Sequence, residues 1–532
     1  MMPSRSADTL FQLIHSLQKA EKRAFKLYAK RNGATEDLKM IQMFDAIDKM
    51  PEYNEALLLK KMPGTKKEQL ANRKVHLYKQ ILASLRLLES NEHVDIQLHE
   101  QLDSARILYN KGLYLQSLKV LEKAKELARN THQDSYLLQA LFLEKKIEAL
   151  HITRSLKDRA GRLTSETNEL MKRLQVTSHL SNLALELYGW YINNGHARNE
   201  LDEKSIYDYF HENISSLPET MTGFYQRLYL YQSYCWYAFI RLDYLMYYRY
   251  TQKWVDLFHN EPHMIEIESG HYIKGMHNLV SAHFDLSNHE KFEKTLQVFE
   301  TFSESEVVRN NDNNKIQVFV YLYTAKINRH FMQGSFDEGL TLVPELTEKL
   351  KEYSLYLDNH RVLVFYYKIA SLYFGSGDFD NTIKYLSKII NWKVDLRNDL
   401  QCYARLLHLI AHYEIGNFDI MEYLIKSVYR FMAKMENLSA VEEEIFKFLR
   451  SSFNLSRKEL RQAFENLLNN LKQFEENPFE ARAFSYLDII SWLESKVYNK
   501  PVYTIIREKY LLRLNNKRSL MEANSDDNQR LV

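Results

Sequence analysis

A glycine-centred turn pattern recurs in this chain at a spacing near forty residues, and internal periods of that length are produced by stacked helical hairpins. It reads NKGLYLQSLKVLEKA at 110–124, QGSFDEGLTLVPEL at 333–346, SGDFDNTIKYLSKI at 376–389 and IGNFDIMEYLIKSV at 415–428. Gly112, Gly334, Gly377 and Gly416 each close an apolar helical stretch, and an aromatic follows two residues later (Tyr114, Phe336, Phe379, Phe418). Glycine past a helix end takes the left-handed conformation that satisfies dangling carbonyls, and Asp378 and Asn417 are placed to cap the next helix. The residues nine positions after each glycine (Leu121, Val343, Leu386, Ile425) share a face of the second helix with that aromatic. Ala105, Ile327, Ala370 and Leu409, seven before it, let the paired axes approach. Such a hairpin buries one face and needs a neighbour for the other.

Weaker copies fill the intervals. Tyr244 and Phe292 keep the aromatic with Leu242 and Glu290 in the glycine's place, and fainter marks fall near Ser155, Gly195 and Lys458. From 112 to 458 there are 346 residues over eight steps, about 43 per step.

The pattern resembles the second half of the tetratricopeptide repeat, G-x-Y/F-x-x-A-x-x-x-Y/F-x-x-A, best at Gly112, Tyr114, Ser117, Leu121 and Ala124 and at Gly377, Phe379, Thr382, Leu386 and Ile389. The resemblance covers most of residues 93–475 and implies an all-α fold of stacked antiparallel helical hairpins, a right-handed α-solenoid, with an N-terminal helical cap or bundle. Two features depart from it: the period exceeds the usual 34, and no proline closes each unit. Pro344 lies inside an expected second helix, where it removes a hydrogen bond and kinks the chain. Only 14 Gly and 8 Pro in 532 residues, with 45% hydrophobic content, fit helices better than a many-stranded sheet.

Three segments are expected: a basic bundle at 1–92, helical repeats at 93–512 and a polar flexible tail at 513–532. Residues 1–90 carry 17 Lys plus Arg against 10 Asp plus Glu, a net of about +7 in a chain whose total is +2. Helices are expected there at 8–17, 20–31, 36–49, 53–61 and 66–90, punctuated by Pro51 and Pro63-Gly64. Lys19, Lys22, Arg23, Lys26 and Lys30 recur at helical spacing, which reads either as a footprint for nucleic acid or an acidic partner or as a solvated helix face. No helix-turn-helix or RNA-binding motif accompanies them.

A second candidate surface comes from the aromatics three residues before each turn: Tyr109, Phe331, Phe374 and Tyr413, with Phe239 at the matching place in a weaker unit. In the resembled family that part of the first helix borders the concave face, and an aromatic-lined groove suits a peptide. Interior packing is the competing reading. The family's clamp for a peptide carboxylate does not recur; Thr324, Asn328 and Met332 occupy its positions in one unit.

His408 and His412 stand four apart with Glu414 nearby, but packing explains them better than metal ligation, and no other ligand is visible. His271, His277, His283 and His289 recur every six residues, which turns neighbours apart on a helix. Cys235 and Cys402 form no metal or redox spacing. No nucleotide, dinucleotide or hydrolase motif is present, so no catalytic residue, cofactor or metal is assigned. With no secretion signal or membrane span in view, the cytoplasm is expected. The preferred function is a non-enzymatic interaction scaffold binding a protein or peptide through its repeats. The alternatives are a regulator whose basic N-terminal helices bind nucleic acid or an acidic partner, and an enzyme hidden in the groove.

Overall fold

The computed structural model describes residues 8–31, 35–89, 93–151, 158–218, 220–392, 397–435, 438–477 and 479–529, with side chains throughout except at 35–37, 454, 485 and 516–529. Among these residues every regular element is a helix. Internal contacts divide the chain into two compact units, Met1–Leu174 and Gln175–Val532. The mark at Ser155 lies outside the described residues.

The first unit opens with α1 (Thr9–Ser16), α2 (Lys19–Lys30), α3 (Thr35–Asp48), α4 (Glu55–Lys61) and α5 (Lys67–Glu89), close to the five expected spans. Asp8 starts α1 by accepting from the Leu10 and Phe11 N–H groups at 3.0 and 3.2 Å. The five helices share one core, in which Ile14, Phe44, Ile47 and Leu77 are fully buried and the Phe25 and Phe44 rings lie 4.8 Å apart. Next come α6 (Val94–Asn110), α7 (Tyr114–Asn130) and α8 (Asp134–Leu150), followed by α9 (Arg159–Asn194), which begins in this unit and ends in the second.

The second unit continues with α10 (Glu200–Ser215), α11 (Phe224–Ile240), α12 (Tyr244–Asn260), α13 (Met264–Ile267), α14 (Ser269–Asp285), α15 (His289–Ser303), α16 (Glu306–Arg309) and α17 (Asp312–Gln333). Then follow α18 (Phe336–Leu340), α19 (Val343–Glu352), α20 (Asn359–Ser376), α21 (Phe379–Ile390), α22 (Asn398–Glu414) and α23 (Phe418–Lys434). Last are α24 (Ala440–Ser451), α25 (Arg457–Lys472), α26 (Arg482–Tyr486), α27 (Ile489–Tyr498) and α28 (Val502–Gln529). From α11 to α23 packing passes between neighbours in sequence: α11 on α12, α12 on α14, α14 on α17, α18 on α20, α20 on α21, α21 on α22 and α22 on α23. That is the pattern of a helical-repeat array.

The turns work as their chemistry requires. Gly112, Gly334, Gly377 and Gly416 have φ between 67° and 88°, and after them the Leu113, Ser335, Asp378 and Asn417 N–H groups reach back five residues to the preceding helix at 2.9–3.1 Å. Asp378 caps α21 by accepting from the Asn381 N–H at 3.0 Å, whereas the Asn417 amide meets His412 Nδ1 at 2.9 Å instead. All four residues seven before the glycines are fully buried, and those nine after them are at most 5% exposed. Pro344 sits in the first turn of α19, so the second helix of that hairpin is broken into α18 and α19.

Where glycine is absent, other residues accept the strain. Leu242 takes φ 57° as expected, but the turn before α15 is centred on Ser287, φ 52°, not on Glu290. Phe292 is therefore not the aromatic two after the turn; it occupies the place of Ser117 and Thr382 and is fully buried. Lys458 lies within α25, so that mark is not a turn either. Left-handed residues at 195, 242, 287, 334, 377 and 416 give 221 residues over five steps, about 44 each.

Two features go beyond neighbour-on-neighbour stacking. The α28 helix packs back on α17 and α20, so close at Gly334 that an added Cβ would stand 2.7 Å from the Tyr503 carbonyl oxygen. Its backbone also stays helical to Gln529, where a polar tail was expected from residue 513; no glycine or proline after Pro501 stops it.

Candidate functional site

Packing α9, α11, α14, α17 and α20 side by side in the second unit leaves a cavity of about 270 Å³. Its lining follows the repeat. Lys274, Tyr321 and Val364 each stand thirteen residues before a left-handed turn residue (Ser287, Gly334, Gly377), and one helical turn later His277 and Thr324 join them. Tyr188, Tyr191 and Trp236 line it from α9 and α11, and His360, Arg361 and Arg397 complete the lining, the Arg397 guanidinium 5.7 Å from the Tyr191 ring centre.

Flat rings dominate this surface. His277 lies on Tyr321 with ring centres 4.2 Å apart at 16°, and Trp236 packs on Tyr191 at 5.6 Å and Tyr188 at 4.9 Å. Cations sit over the rings: Lys274 Nζ is 5.0 Å from the Tyr321 centre and 5.9 Å from that of Trp236, and the Arg361 guanidinium is 5.8 Å from Tyr321. Arg361 also pairs with Asp358 at 3.5 Å.

Arg397 is held differently. Its backbone is left-handed at the start of α22, its side chain is 8% exposed, and its guanidinium donates to both Asp399 carboxylate oxygens at 2.7–3.1 Å. Asp399 accepts a further bond from the Tyr486 hydroxyl at 2.5 Å. Burial alone would raise the Asp399 pKa, but the Arg397 charge and the hydrogen bonds from Arg397 and Tyr486 outweigh it and hold the carboxyl well below its usual range. Burial pushes His277 well below the ordinary imidazole value, assisted by Lys274, and brings His360 down to about 4, assisted by Arg397. Both rings are neutral at pH 7. The cavity thus presents neutral rings, three cations and one carboxylate, Asp358.

The aromatics expected to line a groove are placed otherwise. Tyr109 packs on Tyr114 at 5.8 Å, Phe331 on Phe336 at 6.1 Å, Phe374 on Phe379 at 5.4 Å and Tyr413 on Phe418 at 5.9 Å. In each case the ring before the turn closes its own hairpin against the ring after it. Of the five, Phe239 alone reaches the cavity, against Tyr191 at 5.2 Å. Trp236, Lys274, His277, Tyr321 and Arg361 were missed; Lys274 and Tyr321 stand thirteen and His277 ten residues before a left-handed turn residue, a register that emerges only once the hairpins stack, and Trp236 and Arg361 fall outside it.

On α2, Lys22 and Lys26 pair with Asp48 and Asp45 of α3, each at 2.6 Å, while Lys19, Arg23 and Lys30 are exposed. The expected basic face is therefore partly neutralised. His408 and His412 lie 4.5 Å apart, His408 near the Ser387 hydroxyl, and Glu414 is turned away to accept from Trp492 Nε1 at 2.6 Å. His271, His277, His283 and His289 each meet a different tyrosine: Tyr229, Tyr321, Tyr248 and Tyr510.

The fold and site define a tetratricopeptide-like helical-repeat protein. A family model described as tetratricopeptide repeat matches residues 363–393, one hairpin built by α20 and α21. No curated protein matches the sequence. Among the described residues no helix is long and apolar enough to cross a membrane.

Proposed function

We propose that the protein is a non-enzymatic cytoplasmic scaffold that holds a segment of a partner protein against the first helices of its second unit. One observation carries this reading: Lys274, Tyr321 and Val364, at one position of three consecutive hairpins, open onto a single cavity. A repeat array that brings equivalent positions together in this way makes a recognition surface without chemistry of its own. Aromatic rings and cations suit it, because they supply large contact area and charge selectivity. The two buried free thiols are compatible with a reducing compartment.

Affinity capture from native lysate tests it. Wild-type protein and Lys294→Gln, a change at an exposed lysine on α15, should recover the same partner, whereas Lys274→Glu and Tyr321→Ala should lose it. Identical recoveries from all four proteins would remove the groove from the interaction.

A further inference from the structure

The cavity has the dimensions of a small-molecule site. Its volume of about 270 Å³ falls just under the ~300–1,000 Å³ typical of such pockets. Its lining is rich in planar groups, the stacked His277–Tyr321 pair and the packed Tyr188, Tyr191 and Trp236 rings. Flat surfaces of this kind favour a flat ligand, since offset stacking adds attraction beyond area burial.

Charge makes the second demand. Lys274 lies within 6 Å of the Trp236 and Tyr321 ring centres and, among the described residues, has no carboxylate within ion-pair distance. Arg361 approaches the same Tyr321 ring, so two cations converge on one aromatic. Asp358 offsets Arg361, and Asp399 offsets Arg397, which leaves Lys274 as the charge at the cavity that a ligand would neutralise. A half-buried ammonium gains most from an anion that arrives with it out of water.

We propose that this cavity binds a small planar organic anion, an unsaturated ring carrying a carboxylate or phosphate, with the anionic group at Lys274 and Arg361 and the ring against Trp236 and Tyr321. The proposal goes beyond the scaffold reading: the ligand is free in solution and needs no protein partner. The carboxylate and the phosphate form share one chemistry, and two probes separate them.

Calorimetric titration of the purified full chain uses indole-3-carboxylate in one arm and adenosine 5′-monophosphate in the other. Acetate, inorganic phosphate, indole and adenosine supply charge without ring and ring without charge. At least one arm should bind one-to-one, tenfold or more tighter than either of its halves. Lys274→Glu should weaken it at least tenfold, Arg361→Gln should weaken it less because Asp358 already shares that charge, and Lys294→Gln should leave it unchanged. Helical content and melting temperature confirm that each variant is folded. If neither probe binds more tightly than its halves, or a folded Lys274→Glu binds like wild type, the proposal falls. Failure of both probes while a partner is still captured through the groove overturns this inference and leaves the scaffold reading standing. Probe binding without any captured partner does the reverse.

Discussion

The Tyr486 hydroxyl donates to Asp399 Oδ2 at 2.5 Å across 87 residues of chain, completing a carboxylate already gripped by Arg397. The contact fastens the segment carrying α26 to the start of α22. Removing the carboxylate leaves a guanidinium 8% exposed with no counter-charge, and breaking a buried pair from one side typically costs ~3–5 kcal/mol. Asp399→Ala should therefore lower the melting temperature far more than Tyr486→Phe, which removes one hydrogen bond to a charged group, ~1.5–3 kcal/mol. The double change Arg397→Met with Asp399→Leu should recover much of the loss. Thermal melts of the three variants beside wild type check it; an Asp399→Ala protein as stable as wild type would show that the pair contributes nothing.

Acid should destabilise the second unit in two stages. His196, His283, His360 and His408 are each brought down to about 4, first by burial, so the unfolded chain takes up protons that the folded one refuses once pH drops below the unfolded value of about 6.5. Asp399 acts lower. Its depressed pKa adds stability that is complete above the unfolded value, about 3.9, and is lost as pH falls through that range toward the folded value. Melting temperature should fall from about pH 6.5 down to about 4 and go on falling less steeply below that, where the folded histidines also take up protons and Asp399 alone of these groups still differs between the two states. His360→Asn should make the first stage shallower, since one of its four histidines is removed, and leave the second. A curve that rises between pH 6.5 and 5 would contradict the sign.

Gly375 stands where the Phe336 ring crosses α20, and an added Cβ would meet ring carbons at 2.3 Å. Alanine is normally better than glycine inside a helix by ~1 kcal/mol, whereas overpacking costs ~1–3 kcal/mol. The clash is with a buried ring, so it should win: Gly375→Ala is expected to lower the unfolding midpoint. Phe336→Leu makes room, and in that background the same glycine change should become neutral or stabilising. A double-mutant cycle measures the coupling.

The turns were readable because their chemistry is local. A glycine with positive φ, an aromatic two later and a small or apolar residue seven earlier all lie within one hairpin, and Gly112, Gly334, Gly377 and Gly416 behave alike. Reading failed where another residue took the strained conformation. Ser287 carries no such mark, and Phe292 drew the turn three residues too late. The cavity failed for a different reason: Lys274, Tyr321 and Val364 come together only when hairpins stack, so no local pattern marks them. The column three before the turn drew attention through its aromatics, yet Tyr109, Phe331, Phe374 and Tyr413 bind the ring across their own turn.

Both thiols should be silent in the native protein. Cys235 is 2% exposed and Cys402 fully buried, and burial pushes the Cys235 thiol well up and that of Cys402 to about 12. Only the thiolate is a competent nucleophile. A chromogenic disulfide reagent at pH 8 should label no cysteine before unfolding and two afterwards. Rapid labelling of one site in folded protein would mean that its helix opens locally.

Ser117 Oγ donates to the Ala105 carbonyl at 2.8 Å across the α6/α7 hairpin, and Thr382 Oγ1 approaches Ala370 in the same way at 3.4 Å across α20/α21. All four residues are fully buried, so the hydroxyl marks where the two backbones come closest. Ser117→Ala keeps that approach and removes one hydrogen bond whose acceptor already serves its own helix, so the expected cost is about 1 kcal/mol. Ser117→Leu must force the axes apart. Overpacking typically costs ~1–3 kcal/mol, and here it acts on both helices at once. Hydrogen exchange across α6 and α7 should therefore change little in the alanine variant and rise throughout the hairpin in the leucine variant. Equal protection in both would mean that the spacing of this pair does not depend on a small side chain.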